Sequence, residues 1–305
     1  MRRAPLACAA SSPRALAAGV ACLLALSVPA SADAAAAPSA APLFLSVCGT
    51  CTFYDVGGVL TREPPPWECP DGENCCGEAC DWLNLFDCPN CGDLSSLAQN
   101  VFKGMDSLQF LDLANNRLSW LPAGTFWGLS GLETLWLSDN EAMMSIEQGA
   151  FAGLGKVVTL SVWSNNLSSL PANVFAGMGS LETLWLNSNV LTSIEEGALD
   201  GLEKLRWLSL EENMLASLPG GLFVETPGLM RLWLKDNVLA GPQPPGLLAP
   251  LANLTRLDIK GNGATLCFHE VPPLLNADAC FEGCGFDDPA ELLCAAPAPL
   301  NAPGI

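Results

Sequence analysis

Side chains that could carry catalysis are few and scattered in this chain. The single histidine, His269, stands beside Cys267 near the C-terminus, whereas a catalytic triad needs a base held against a nucleophile. Two acidic pairs, Glu195-Glu196 and Glu211-Glu212, offer the carboxylates that glycoside hydrolysis uses, but no cleft is predicted around them. We therefore expect no enzyme activity, no catalytic residue, no cofactor and no metal.

Cysteines are the second group of reactive side chains. Of the 14 cysteines, Cys8 and Cys22 fall within an N-terminal leader, which leaves 14 − 2 = 12. We predict that these form disulfide bonds: Cys48, Cys51, Cys69, Cys75, Cys76, Cys80, Cys88, Cys91, Cys267, Cys280, Cys284 and Cys294. The alternative is zinc, because Cys48-xx-Cys51 and Cys88-xx-Cys91 have the ligand spacing of zinc ribbons. Disulfides are favoured because the leader indicates an oxidising compartment.

The elements that must position these side chains follow from one repeated pattern. Seven asparagines recur at intervals of 24 or 25 residues: Asn116, Asn140, Asn165, Asn189, Asn213, Asn237 and Asn262. Each ends a run such as Leu108-xx-Leu111-x-Leu113-xx-Asn116, in which the Leu-x-Leu pair points to one face of a short strand. One such strand cannot bury its leucines alone, so neighbouring repeats must stack and share a core.

The pattern resembles the extracellular type of leucine-rich repeat over residues 94–266. The resemblance implies an α/β-type repeat solenoid, a horseshoe with a parallel β-sheet on its concave face and an irregular or short-helical convex side. A column of large apolar residues is predicted to fill the convex side of the core: Phe126, Phe151, Phe175, Leu199, Phe223 and Leu248. The family also closes both ends with disulfide-bonded caps, although neither end of this chain has the usual cap spacing.

Composition divides the chain into four segments. Residues 1–32 have the basic start, apolar run and Ala30-Ser31-Ala32 site of a signal peptide, with an organelle transit peptide as the alternative. Residues 33–93 are predicted as an Ala/Pro linker and cysteine-rich N-terminal cap, residues 94–266 as the array, and residues 267–305 as a C-terminal cap and flexible tail. No later stretch has the roughly 18 continuous apolar residues of a membrane helix. We expect a secreted, extracellular protein without membrane insertion.

The net charge narrows the classes of partner. The chain carries −19, and loss of Arg2, Arg3 and Arg14 with the leader would leave 13 − 3 = 10 basic against 32 acidic residues, or −22. Such a charge argues against nucleic acid and anionic membranes as general partners.

The concave face holds the candidate binding residues. Strand alternation places three side chains per repeat there, among them five of the nine tryptophans and four basic residues: Trp136, Trp163, Trp185, Trp207, Trp233, Arg231, Lys235, Arg256 and Lys260. Exposed aromatic patches mark interfaces, and Trp and Arg dominate binding hot spots. We predict that these nine residues bind a protein or peptide with acidic groups beside an apolar element.

Three other interpretations of this face stay open. The tryptophans could pack sideways on neighbouring strands without a ligand. They could stack on sugar rings beside a threonine column, Thr134, Thr159 and Thr183, or the array could be a structural matrix component.

Two sites for N-glycosylation are predicted, at Asn166 and Asn253, because Asn166-Leu167-Ser168 and Asn253-Leu254-Thr255 match the acceptor pattern.

Overall fold

The structure is a computed structural model that describes residues 43–48, 51–63, 80–85, 94–275 and 292–294. The predicted leader lies outside the described residues. So do seven of the predicted disulfide cysteines: Cys69, Cys75, Cys76, Cys88, Cys91, Cys280 and Cys284.

Sixteen short strands make up the described secondary structure. They are β1 (Leu43–Cys48), β2 (Cys51–Val56), β3 (Val59–Glu63), β4 (Trp82–Asn84), β5 (Ser96–Leu97), β6 (Phe110–Asp112), β7 (Trp120–Leu121), β8 (Thr134–Trp136), β9 (Ser145–Ile146), β10 (Thr159–Ser161), β11 (Ser169–Leu170), β12 (Thr183–Trp185), β13 (Ser193–Ile194), β14 (Trp207–Ser209), β15 (Arg231–Trp233) and β16 (Arg256–Asp258). Eight of them form one parallel sheet in the order β16-β15-β14-β12-β10-β8-β6-β4. The predicted concave sheet is thus confirmed, with β4 as an additional strand at its N-terminal edge.

The convex side is built from turns. No α-helix occurs in the described residues, so the convex segments are irregular rather than short-helical, and no described element could span a membrane as a helix. Two short parallel pairs, β7 with β9 and β11 with β13, lie outside the main sheet.

The core follows the Leu-x-Leu pattern. Leu111, Leu113 and their counterparts in later repeats are buried beneath the sheet. On the convex side, Phe102, Phe126, Phe151 and Phe175 stack in sequence with ring centroids 5.8–6.1 Å apart. The predicted convex column is buried throughout. Each repeat therefore buries its apolar side chains against its neighbours, which stabilises the array by the removal of apolar surface from water.

The repeated asparagine ties adjacent turns together. In Asn189, Nδ2 donates to the carbonyl oxygens of Leu186, Asn187 and, in the preceding repeat, Val162. Its Oδ1 accepts the backbone N–H of Leu167 at 3.1 Å. Backbone groups inside the solenoid would otherwise be buried without partners, at a cost in free energy.

Asn165 departs from this pattern because the extra residue of its repeat directly follows Asn140. Its Oδ1 accepts the backbone N–H of Asn140 rather than that of the next inward-pointing residue. The N–H of Met143 closes a turn onto the Asn140 carbonyl instead. The extra residue is therefore absorbed outside the strands, and β8 and β10 stay in register.

A small separate sheet of four strands, β1, β2, β3 and β5, precedes the repeats that carry the main sheet. β2 pairs antiparallel with β1 and β3, and β3 pairs in parallel with β5 of the first half repeat. The β2–β3 turn is Gly57-Gly58, both with positive φ, as a two-residue hairpin of type I′ requires. Asp55 closes that turn by accepting the Gly58 N–H at 2.6 Å. Cys51 and Cys80 are both disulfide-bonded, so Cys51 has no free thiolate for the zinc site considered above.

The described residues beyond β16 are linked by a disulfide and by backbone hydrogen bonds. Cys267 and Cys294 form a disulfide with their Cα atoms 4.9 Å apart. The Phe268 N–H donates a hydrogen bond to the carbonyl oxygen of Leu292, and the Cys294 N–H donates one to the carbonyl oxygen of Phe268. Phe268 is buried as part of the same apolar core as the repeats.

Candidate binding site on the concave face

Strand register aligns the concave side chains in three columns. The first strand residues form one column: Trp82, Phe110, Thr134, Thr159, Thr183, Trp207, Arg231 and Arg256. The third strand residues form the middle column: Asn84, Asp112, Trp136, Ser161, Trp185, Ser209, Trp233 and Asp258. The residue two positions beyond each strand supplies the last column, which runs from Ala114 through Trp163 to Lys260.

Tryptophan and serine alternate along the middle column. Trp136, Trp185 and Trp233 lie on every second strand, and Ser161 and Ser209 lie between them. Strands lie about 4.8 Å apart, so successive tryptophans start about 10 Å from one another.

The space above Ser161 and the space above Ser209 differ in how the flanking tryptophan rings lie. Trp185 and Trp233 lean together, with ring centroids 5.6 Å apart, and Ser209 between their strands is fully buried. Its hydroxyl has no hydrogen-bond partner among the described residues. The rings of Trp136 and Trp185, by contrast, make no contact with each other in the described part of the chain, because Trp136 contacts Phe110 and Trp185 contacts Trp233. An open groove of about 760 Å³ lies between these two rings.

This groove, which we call the tryptophan groove, is lined by Asp112, Ala114, Trp136, Ser138, Asp139, Thr159, Ser161, Trp163, Trp185, Asn187 and Glu211. Trp136 and Trp163 remain 41 % and 39 % exposed, whereas the floor residues Ser138 and Ser161 are buried. The two floor hydroxyls lie 2.6 Å apart in a mutual hydrogen bond. The groove therefore has aromatic walls and a polar floor, the usual composition of a specific binding site.

The charged side chains that line the tryptophan groove are acidic. Among the described residues, three carboxylates line it, those of Asp112, Asp139 and Glu211, and no lysine or arginine does. Burial raises the pKa of Asp112, and the Ala114 N–H on its Oδ1 partly opposes this shift. Burial also raises the pKa of Glu211.

Neighbouring charges act on Glu211 as well. The Lys235 ammonium lowers the pKa of Glu211, while the carboxylates of Glu212, Asp258 and Asp236 raise it. Lys235 itself pairs with Asp236 at 3.1 Å. The carboxylate of Glu211 is thus crowded by like charge.

The predicted basic cluster lies beyond the groove, at the C-terminal end of the sheet. Arg231 lies over the Trp207 ring, 5.6 Å from its centroid, and Lys235 pairs with Asp236. Arg256 is half-buried and Lys260 is exposed. The four residues share two columns, as predicted, but none of them lines the tryptophan groove.

The five predicted tryptophans divide in the same way. Trp136, Trp163 and Trp185 line the groove, whereas Trp207 and Trp233 lie outside it. Sequence reasoning did not select the acidic and serine lining residues as a site, because nothing in the pattern shows which columns stay open. It also missed Trp82, which stacks on Phe110 at 3.6 Å, with Phe110 in turn edge-on to Trp136.

Other sequence candidates lie apart from the groove. His269 is exposed in the C-terminal cap, and the described residues contain no His, Cys, Asp or Glu cluster suited to a metal. Glu195 accepts the Ala172 N–H of the preceding repeat at 3.0 Å, which is a structural contact. Both predicted glycosylation asparagines are exposed, but the Asn253 amide donates to Pro227 while Asn166 makes no such bond.

Comparisons with known proteins agree with this architecture. Residues 90–141 and 155–215 match the family model for the leucine-rich repeat. No curated protein matches the chain at a significant level.

Two solved structures are similar to part of this chain. One is the Toll–Spatzle complex of Drosophila, with 23 % identity and a TM-score of 0.53 over 63 % of this chain and 27 % of that one. The other is TLR13 bound to ssRNA13, with 29 % identity and a TM-score of 0.47 over 61 % of this chain and 26 % of that one. The chain thus covers about a quarter of either.

Proposed function

Since the chain is a leucine-rich repeat protein, we propose that it is a secreted, non-enzymatic recognition module that binds a protein or peptide in its concave face. The observation that carries this proposal is the tryptophan groove, in which Trp136, Trp163 and Trp185 surround an open volume of about 760 Å³. Large aromatic side chains left in contact with water in one patch mark interaction sites.

The alternative of sideways packing accounts for only part of the face. Trp185 and Trp233 do pack on each other, and Trp82 packs on Phe110. Trp163 makes no ring contact among the described residues and remains 39 % exposed. An exposed tryptophan such as Trp163 can still lose apolar surface to a partner and so contribute binding free energy. Truncating such residues typically costs about 2 kcal/mol or more of binding free energy.

Secretion is supported by the cysteines. Cys51, Cys80, Cys267 and Cys294 are all disulfide-bonded, and disulfides persist chiefly in oxidising compartments. The predicted signal peptide is consistent with this destination.

The basic residues at the end of the sheet add a second contact to the proposal. Lys260 is exposed and Arg231 is held over Trp207, so both could meet acidic groups of a partner beside the groove. Charge pairs of this kind mainly set orientation and association rate.

A glycan is the second candidate ligand, favoured by the serine hydroxyl pair beneath aromatic walls. The threonine column supports it less, because Thr183 is buried. Nucleic acid is not expected: TLR13 has an RNA ligand in its own structure, but here the groove lining is acidic and would repel phosphates.

Affinity capture from the native extracellular medium, run beside a glycan array, tests the proposal. Trp136→Ala and Trp185→Ala should lose the captured partner, whereas Trp127→Ala should keep it. Trp127 is a matched control because it is 61 % exposed and lies outside the groove. Retention of a protein partner by both groove variants would place the site elsewhere, and glycan binding lost with the same variants would favour the glycan.

A further inference from the structure

We infer that the tryptophan groove receives a cationic side chain, an arginine or a lysine, from the partner. This inference rests on the proposed function, since it names the chemistry that the concave face recognises. It differs from the expectation drawn from the sequence, in which the basic residues beside the tryptophans predicted a partner with acidic groups next to an apolar element.

Charge complementarity is the first support. The groove lining contains three carboxylates and no basic side chain. None of the three forms a salt bridge within the described residues, although Lys235 lies near enough to lower the pKa of Glu211. An incoming cation would offset the repulsion between these acids, whereas an incoming carboxylate or phosphate would add to it.

The aromatic walls are the second support. The face of an indole ring attracts a cation within about 6 Å of its centroid, and arginine does this most often. The same sheet already contains one such pair, with Arg231 5.6 Å from the centroid of Trp207. Trp136 and Trp185 offer two further rings on either side of the gap over Ser161, with no resident cation between them.

Hydrogen-bonding capacity also favours a cation. A guanidinium has five N–H donors and no acceptor, so it needs a site rich in acceptors. The groove supplies carboxylate oxygens from Asp112, Asp139 and Glu211 and the lone pairs of the Ser138–Ser161 hydroxyl pair. A sugar would need donors as well, and the indole N–H groups, the Thr159 hydroxyl and the Asn187 amide of the lining supply them. The preference for a cation therefore comes from the carboxylates.

A phage-displayed library of random peptides, selected on the full-length secreted protein, tests the inference. We expect enriched peptides to share an arginine or lysine, and replacing that arginine by neutral citrulline should weaken binding about tenfold, as expected for a desolvated cation–aromatic contact near a carboxylate. Binding is measured by titration of each synthetic peptide.

Charge-neutralising variants then locate the contact. Glu211→Gln and Asp139→Asn should each weaken the binding of an arginine-containing peptide several-fold, while Glu212→Gln should leave its binding unchanged. Glu212 is the matched control, because it adjoins Glu211 but does not line the groove. Asp139→Asn should fold normally, since Asn115 holds the equivalent left-handed backbone position one repeat earlier, with φ 54° at both residues.

The outcomes separate the two proposals. Enriched peptides that lack a basic residue but lose binding in Trp136→Ala would overturn the cationic assignment and leave the proposed function standing. Enriched peptides that bind Trp136→Ala and Trp185→Ala unchanged would overturn both, as would a library that yields no groove-dependent binder.

Discussion

At the scale of single residues, side chains that look alike in the sequence do different work. Asn189 and Asn166 are both asparagines of the array, yet Asn189 is buried with four hydrogen bonds whereas Asn166 is exposed. The sequence distinguishes them only through the period of the repeat.

Replacing Asn189 with alanine should therefore lower the free energy of unfolding by about 2 kcal/mol, because its backbone partners would be left buried without hydrogen bonds. Asn166→Ala should change it by less than about 0.5 kcal/mol. Urea unfolding followed by circular dichroism measures both. Similar midpoints for the two variants would contradict the role assigned to the ladder.

Asp112 permits a prediction on pH. Its pKa is raised by burial from the ordinary value of 3.8, so its charged form is destabilised in the folded state. A pKa that is higher in the folded than in the unfolded state contributes stability when the pH is below the unfolded-state pKa. This contribution is lost as the pH rises through the folded-state pKa. Asp112→Asn should thus raise the unfolding temperature at pH 7 and raise it less at pH values well below 3.8. An equal shift at both pH values would show that burial of the charge is not the cause.

At the scale of elements, the sequence predicts whatever the repeat period controls. Leu-x-Leu and the spaced asparagines predicted seven strands of the main sheet, and the structure confirms them. The eighth, β4, was missed although Leu83-x-Leu85 has the same signature and both leucines are buried, because no asparagine follows at the expected distance. The hairpin between β2 and β3 was missed as well, although Gly57-Gly58 is a typical two-residue turn.

The groove itself was only partly predictable. Alternation placed Trp136, Trp163 and Trp185 on one face, but the open gap depends on Trp185 leaning toward Trp233. That choice of side-chain rotamer is decided by packing among three strands and leaves no trace in the local sequence.

The C-terminal cap can be tested as an element. The Cys267–Cys294 bond closes a loop with a sequence separation of 27. Removing it with Cys267→Ser and Cys294→Ser together should cost about 3 kcal/mol on the chain-entropy estimate. Because repeats contact only their neighbours, amide exchange should accelerate first in β16 and later in β10. Uniform acceleration along the array would contradict unfolding from this end.

At the scale of the whole molecule, charge is unevenly placed. The chain carries −19 overall, and its exposed groove is acidic, while the basic residues of the sheet are gathered at one end. A basic partner should therefore be steered toward the groove by the overall field.

The association rate of an arginine-containing peptide, measured by stopped-flow fluorescence of the groove tryptophans, should fall about tenfold between low salt and roughly 0.5 M salt, with little change in the dissociation rate. A rate that does not vary with salt would show that charge does not guide the encounter.

Because tryptophan and serine alternate on successive strands, the space between Trp136 and Trp185 depends on the number of repeats between them. Deleting one repeat between Trp136 and Trp185 would bring their strands next to each other, about 4.8 Å apart, and the rings would stack and shut the space between them. The core would survive such a deletion, because the flanking repeats bury apolar side chains at the same positions. A solenoid that tolerates loss of a repeat in its scaffold therefore does not tolerate the loss of this particular repeat in its binding face.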